Sequence, residues 1–209
     1  MDLIFKVHCF LNKHIKYAYQ TNTENTSGFW TNEQRNTHQT CESLANSLVE
    51  YYKEKNASSV IDLGCGNGDY VNYLNLNGVK AYGVDMNTSL EQPTFFKYNL
   101  SEPFIHIADF VQSFEVGEHI PVEYMNVFIN NICNNARHGI VMSWAVEGQG
   151  GDGHVNELPV EKVISLVEKK GFKLNKKKTL WIRENIDYDM RFIYFKHNLL
   201  IFDKIKKKL

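Results

Sequence analysis

The 209-residue chain has four cysteines, Cys9, Cys41, Cys65 and Cys133, with no C-x-x-C pair and no histidine at zinc-finger spacing beside them. That pattern fits neither a disulfide-stapled miniprotein nor a zinc finger. No metal site is expected, and the cysteines read as reduced thiols of a cytoplasmic protein. No long hydrophobic run is present at the N-terminus, where Asp2, Lys6, Lys13 and Lys16 interrupt the apolar residues. Neither a signal-peptide core nor a membrane span of roughly 20 residues is expected there. Excess charge of one sign is also missing: 23 Lys plus Arg stand against 24 Asp plus Glu, a formal net charge of −1. No overall field therefore pulls the chain toward nucleic acid or an anionic membrane, so neither is an expected partner. The four prolines are scattered and no repeat or low-complexity stretch occurs, so no interdomain linker is found. What the chain does contain is 43% hydrophobic residues, 13% of all residues being aromatic. This supplies one sizeable core, excludes a wholly disordered chain and fits a single domain spanning residues 1–209. The oligomeric state is left open.

Periodicity then orders the elements. Residues 3–19 carry mixed helical spacing, a polar stretch leads to Phe29 and Trp30, and a T-x-x-Q capping box at Thr31 and Gln34 predicts a second helix. Its apolar face is Cys41, Leu44, Ala45, Leu48 and Tyr52. Short apolar runs predict strands at Val60–Leu63, Ala81–Val84, Thr94–Tyr98, Phe110–Phe114 and Gly139–Trp144. Helices are predicted from Tyr70 to about Leu76, over Val122–Asn134, and from Pro159 to Lys170 before Gly171. Strand and helix alternation at this spacing implies an α/β fold, an open and mostly parallel sheet with helices on both faces. Ligands of such sheets sit at the carboxyl ends of the strands.

The most informative stretch is Val60 to Asp69, with glycines at 64, 66 and 68 directly after a strand. Glycines there let a backbone turn tightly and approach a ligand, and the following helix N-terminus offers N–H groups. Asp85 ends the next predicted strand 19 residues after Gly66, close to the roughly 20-residue offset of a carboxylate that accepts from ribose hydroxyls. The third glycine falls one position too early for a dinucleotide fingerprint, and Asp62 would repel a pyrophosphate while suiting a cationic amino group. The expected ligand is an adenosine with an amino-acid tail and no phosphates.

These residues resemble the class I S-adenosylmethionine-dependent methyltransferases over roughly residues 40–172, by motif order and sheet rhythm. The resemblance implies a Rossmann-like, seven-stranded, mostly parallel sheet with an antiparallel last strand, expected at Asn198–Phe202. It implies S-adenosylmethionine as cofactor, with Asp62, Gly64, Cys65, Gly66 and Gly68 around the methionine end and Asp85 on the ribose diol. Met86 would flank the adenine, and Asn99 and Leu100 stand where the family usually has Asp and Leu. Cys65 itself reads as a small packing residue. A helical cap over residues 1–35, lined by Phe29 and Trp30, would close over the cofactor, with residues 36–209 as the core.

Glu115 to His119 is similar to the family's E-x-x-E-H run after strand four, which places Glu115 at the cofactor and His119 at the substrate. Glu118 and His119 are equally plausible as helix-start residues. The loop Gly148 to Glu157 resembles a G-Q-G-G-x-G-H-V-N-E signature of a small subgroup associated with bacterial glycan and capsule gene clusters. His154 is the first candidate general base and His119 the second, or else His154 braces the loop. Gln149, Asn156 and Trp30 are candidate substrate contacts. Arg183 and Arg191, two of only four arginines, are candidate clamps for an anionic group. Lys176 to Lys178 and the lysine-rich tail read as solvated. The expected activity is methylation of an oxygen on a small polar or anionic acceptor, of the sugar, sugar-nucleotide or glycan-precursor class. N-methylation of a metabolite or protein is an alternative, without an N-P-P-Y-like run to support it, and a non-catalytic cofactor-binding module is another.

Overall fold

Leu44, Leu48, Tyr51 and Tyr52 recur at helical spacing and are fully buried on one face of α1, Glu42–Glu54. The computed structural model describes residues 39–86 and 92–206. The expected cap and the Thr31–Gln34 box lie outside them. Gln39, Thr40 and Cys41 are not helical, so the helix that carries the Leu44–Tyr52 face starts at Glu42. The Cys41 N–H donates to the Tyr70 hydroxyl at 3.1 Å and ties that start to the next helix.

The remaining elements run β1 Val60–Leu63, α2 Asp69–Leu76, β2 Ala81–Asp85, β3 Phe95–Lys97, β4 Ala108–Ser113, α3 Met125–Asn135, β5 Ala136–Met142, α4 Val160–Glu168, β6 Phe172–Leu174, α5 Lys176–Glu184, α6 Phe195–Asn198 and β7 Leu200–Lys204. The seven strands form one sheet in the order β3-β2-β1-β4-β5-β7-β6. β1 to β5 pair in parallel, and β7 runs antiparallel to both β5 and β6. The Rossmann-like expectation therefore holds, and the chain reverses direction across the sheet between β1 and β4. A crevice opens at such a switch point.

Strand alternation sorts the core into two layers. Val60, Phe110, Val141 and Ile201 pack with α1, α2, α5 and α6 on one side. Ile61, Leu63, Val111, Ile140, Met142, Leu200 and Phe202 pack with α3 and α4 on the other. Several boundaries differ from expectation. β4 begins at Ala108 and leaves Phe114 outside it, β5 ends at Met142, and Val122–Tyr124 is a 3-10 turn ahead of α3. The last strand starts at Leu200, because Asn198 ends α6. β6 is three residues long, too short to register as a periodic run. The lysine triplet opens α5, where Lys178 is mostly buried and ion-paired to Glu54 of α1.

Asp109 joins the starting ends of the central strands β1 and β4. Its Oδ2 accepts from the Ser58 N–H at 2.8 Å and from the Ser58 hydroxyl, and its own N–H donates to Ser59 Oγ at 3.1 Å. Burial pushes its carboxyl pKa up, but the Ser58 hydrogen bonds and the nearby His138 and Arg137 outweigh burial and hold it below the ordinary value. A depressed folded pKa contributes stability above the unfolded value that is lost as pH falls through the folded one. Asp109→Ala should lower stability at pH 7 by about 2 kcal/mol. In urea unfolding the gap to wild type should narrow in acid, where the wild type also loses this charge.

Candidate active site

The Gly64–Gly68 turn links β1 to α2 and faces the loop that follows β4. Gly64 has φ +88°, and a Cβ there would lie 2.3 Å from Val116 Cγ2, so no side chain fits between these loops. The Gly64 and Cys65 amides donate to the Val84 carbonyl at 2.8 and 3.1 Å. The Gly66 N–H donates to Asp85 Oδ2 at 3.0 Å. The glycine turn and its distant aspartate thus form one hydrogen-bonded unit at the ends of β1 and β2.

A cleft of about 280 Å³ opens there. Gly64, Gly66, Asp85, Met86, Asn99, Leu100 and Glu115 of the expected cofactor set all line it. Asp62, Cys65 and Gly68 are buried and are not part of its wall. Asp62 accepts from Gln112 Nε2 at 2.8 Å, and Gln112 Oε1 accepts from the Tyr52 hydroxyl at 3.0 Å, a buried chain joining β1, β4 and α1. Asp62 therefore supports the strand under the loop. Trp30 lies outside the described residues.

Glu115 follows β4 with φ +52°, a left-handed backbone that is strained for a glutamate. Its N–H donates to Ser143 Oγ at 2.9 Å, Oε1 accepts from Asn198 Nδ2 at 2.8 Å, and Oε2 accepts from Gln149 Nε2 at 2.6 Å. Burial raises the Glu115 carboxyl above its ordinary pKa, against these hydrogen bonds. Gln149, expected to touch substrate, instead holds Glu115 from behind and does not line the cleft.

Glu118 and His119 lie on the 3-10 turn Gly117–His119. The Val155 and Asn156 amides both donate to the Glu118 carbonyl at 2.9 Å, and Asn156 Nδ2 donates to the Ile120 carbonyl at 3.1 Å. The Trp144 indole N–H donates to the Asn156 carbonyl at 2.7 Å. Asn156 is buried and off the cleft wall, so the expected substrate contact is a brace for the turn that presents His119. His119 does line the cleft. Its Nδ1 donates to the Gly153 carbonyl at 3.2 Å, and burial lowers its pKa to about 4, so the ring is neutral near pH 7. His154 stands behind it, edge to face at 4.9 Å between ring centroids, and is not on the wall. His154 Nδ1 donates to Glu157 Oε1 at 2.8 Å, and the same carboxylate accepts from the Gly148 and Gly150 amides, both at 2.7 Å. One carboxylate thus organises the whole glycine-rich loop.

The two arginines separate. Arg191 lines the cleft and pairs with Asp189, its Nε lying 3.0 Å from Oδ2. Arg183 is held inside α5 by a hydrogen bond from Nε to the Leu199 carbonyl at 2.7 Å, and burial lowers its pKa to about 10. It is not on the cleft wall, so an anion clamp built from both arginines is not formed.

Residues 32–143, more than half of the sequence, match the family described as "Methyltransferase domain". This chain belongs to that methyltransferase family. Among solved structures, a sugar N-methyltransferase from Streptoalloteichus shares 11% identity, with 83% of this chain and 92% of that one covered at a TM-score of 0.63. Magnesium protoporphyrin IX methyltransferase from Synechocystis, solved with bound S-adenosylmethionine, shares 18% identity over 78% of each chain at a TM-score of 0.55. The Burkholderia thailandensis 1,6-didemethyltoxoflavin-N1-methyltransferase, solved with its substrate and S-adenosylhomocysteine, shares 13% identity over 83% of each chain at 0.54. Identities this low show a shared fold. Comparison with curated protein sequences gives no match.

The methyltransferase has a cradle that suits S-adenosylmethionine: side-chain-free backbone at Gly64 and Gly66, the Asp85 carboxylate beside them, and Met86, Asn99 and Leu100 from the ends of β2 and β3. Its cleft also contains an aromatic wall that sequence reasoning missed. Tyr70 and Phe114 meet edge to face at 5.3 Å, Phe114 and Phe195 at 6.1 Å, and Tyr194 packs on Phe195 at 4.6 Å. Phe114 reads as strand and Tyr70 as helix core, and no local spacing marks Phe195, so only the fold brings them together.

Proposed function

We propose that this methyltransferase, with S-adenosylmethionine as its methyl donor, methylates an oxygen of a small polar acceptor of the sugar, sugar-nucleotide or glycan-precursor class. The observation that carries this reading is the continuity of one cleft, which runs from Gly66 and Asp85 to His119, Ile120 and Arg191. A cofactor side and a polar acceptor side share one cleft. The Gly148–Glu157 loop, with its resemblance to the glycan-cluster subgroup, supports the acceptor class, as does the sugar-acting structural neighbour. Cys41, Cys65 and Cys133 are buried free thiols, which supports a reducing cytoplasmic setting. Among the described residues no helix is long and apolar enough to cross a membrane.

When bound, S-adenosylmethionine supplies a sulfonium-activated methyl group, and its transfer is an in-line displacement. The chain's own residues contribute mainly position and dryness. Asp85 orients the ribose and the glycine turn the methionine end, Tyr70, Phe114 and Phe195 exclude water, and the Glu115 carboxylate is fixed by Gln149 and Asn198. His119 can accept a hydrogen bond from an acceptor hydroxyl through Nε2, since its Nδ1 donates to Gly153. A ring of such low basicity gives little driving force for ionising an alcohol. The test is to incubate the purified protein with S-adenosylmethionine and a panel of sugars, sugar nucleotides and hydroxy acids, reading S-adenosylhomocysteine release and the mass of the product. Methyl ether formation on one class is the expected result, and absence of calorimetric binding of both cofactor forms would sink the reading.

A further inference from the structure

Glu118 is fully buried, and neither of its carboxylate oxygens has a hydrogen-bond partner of good geometry, although the Glu115 carboxyl and the Ala145 amide approach it. The carboxyl groups of Glu115 and Glu157 lie nearby. Among the described residues no lysine or arginine forms an ion pair with any of these three glutamates. A buried carboxyl without well-placed partners is kept at low cost only where a proton or a cation satisfies it.

The side chains around it answer that requirement. One ligand atom each from Glu118, His119 and His154 lies within 4.8 Å of the others. Both imidazoles are oriented by their Nδ1 atoms, His119 on the Gly153 carbonyl at 3.2 Å and His154 on Glu157 Oε1 at 2.8 Å. An acceptor at Nδ1 fixes the proton there and places each ring's lone pair on Nε2, the arrangement by which outer partners prepare histidines for a metal. Glu157 is itself pinned by the Gly148 and Gly150 amides, so the second of these rings sits on a rigid support.

From these observations we infer that Glu118, His119 and His154 bind a divalent first-row transition metal ion at the edge of the cleft. Two imidazole nitrogens and one carboxylate suit Mn²⁺, Fe²⁺, Co²⁺ or Zn²⁺ better than Mg²⁺ or Ca²⁺, which favour all-oxygen sets. Three protein ligands leave coordination positions open, and His119 places the ion beside the acceptor side of the cleft. There the ion, bound by the His119 Nε2 lone pair, takes that nitrogen's place in holding the acceptor's hydroxyl oxygen, favours loss of its proton to solvent water, and selects acceptors with a second oxygen next to the first, such as vicinal diols or hydroxy acids. This role, though not the site, rests on the oxygen-methylation reading. The site runs against the expectation of no metal ligands drawn from the cysteine pattern.

The test strips the full-length protein with a chelator and titrates it with Mn²⁺, Co²⁺ and Zn²⁺ by calorimetry, following Co²⁺ by its visible absorption. S-adenosylhomocysteine affinity is measured on the same samples. One equivalent of ion should bind at micromolar or tighter affinity, with a Co²⁺ spectrum showing nitrogen ligation. Glu118→Gln and His154→Ala should each weaken binding by at least about 100-fold while S-adenosylhomocysteine affinity stays within about twofold. The second variant serves where the first fails to fold. Wild-type protein that binds S-adenosylhomocysteine but takes up none of the three ions at 1 mM, on the order of a thousandfold above the expected affinity, overturns the site. So does unchanged ion binding in a folded Glu118→Gln or His154→Ala variant. Failure to bind S-adenosylhomocysteine with ion binding intact would count against the methyl-transfer reading and leave the metal site standing.

Discussion

Gly64→Ala is expected to destabilise the fold by about 3 kcal/mol and to weaken S-adenosylhomocysteine binding at least tenfold. Two independent effects add. An alanine at φ +88° pays about 1–2 kcal/mol for the left-handed backbone. Its Cβ also meets Val116 Cγ2 at 2.3 Å, Cγ1 at 2.7 Å and Cβ at 3.1 Å, so the whole branched head of the valine is in the way and rotation gives no relief. Overpacking of this kind costs typically about 1–3 kcal/mol. Val116 lies between Glu115 and Gly117, so its displacement shifts the loop that carries Glu115 and His119 on the cleft wall. Gly78→Ala is the control: φ is +79° but nothing lies within 4 Å, so only the backbone penalty of about 1–2 kcal/mol should appear, without an effect on binding. Urea unfolding and calorimetry on both variants make the comparison. Equal behaviour of the two would refute the argument from close approach.

Asp85→Ala should raise the dissociation constant for S-adenosylhomocysteine by about 100-fold, equivalent to roughly 3 kcal/mol. The carboxylate stands on the cleft wall at the end of β2, and Oδ2 accepts from the Gly66 N–H at 3.0 Å. It therefore does two jobs, facing a ribose diol and pinning the glycine turn, and hydrogen bonds to a charged acceptor contribute about 1.5–3 kcal/mol each. Asp85→Asn keeps an oxygen for the Gly66 amide and loses only the charge, so a smaller loss, about tenfold, is expected. An affinity within twofold of wild type in the alanine variant would remove Asp85 from the cofactor site. Both variants should keep the wild-type unfolding midpoint within a few degrees, because the side chain lies at the end of the strand and outside both apolar cores.

The histidines and the glycine-rich loop show where sequence reasoning stopped. Alternating glycines with histidine, asparagine and glutamate marked Gly148 to Glu157 as a ligand loop, yet their polar groups face inward. Gln149 turns to Glu115, Asn156 to the Ile120 carbonyl, and Glu157 to two amides of its own loop. Composition cannot distinguish a polar group that binds a substrate from one that satisfies a buried loop. Arg183 is a similar case: rarity made it conspicuous, and its helix directs the guanidinium to the Leu199 carbonyl. The aromatic wall was invisible because its members come from α2, the loop after β4 and α6.

By itself the sequence determined the α/β architecture and singled out Gly64, Gly66, Asp85 and Met86, which the structure places on the cleft wall. Strand periodicity, the alternating glycines and the spacing to Asp85 are local or nearly local signals, because one βα unit and the strand after it carry these four residues. Only the tertiary structure decided how the loops after β4 and β5 meet at the cleft. His119, His154, Glu118 and Glu115 are set by loops after β4 and β5 that pack on each other across the sheet, and Asn198 reaches them from the far end of the chain. Which of those polar groups faces the cleft, which braces it and which is left without a partner depends on long-range packing, and linear spacing does not record that.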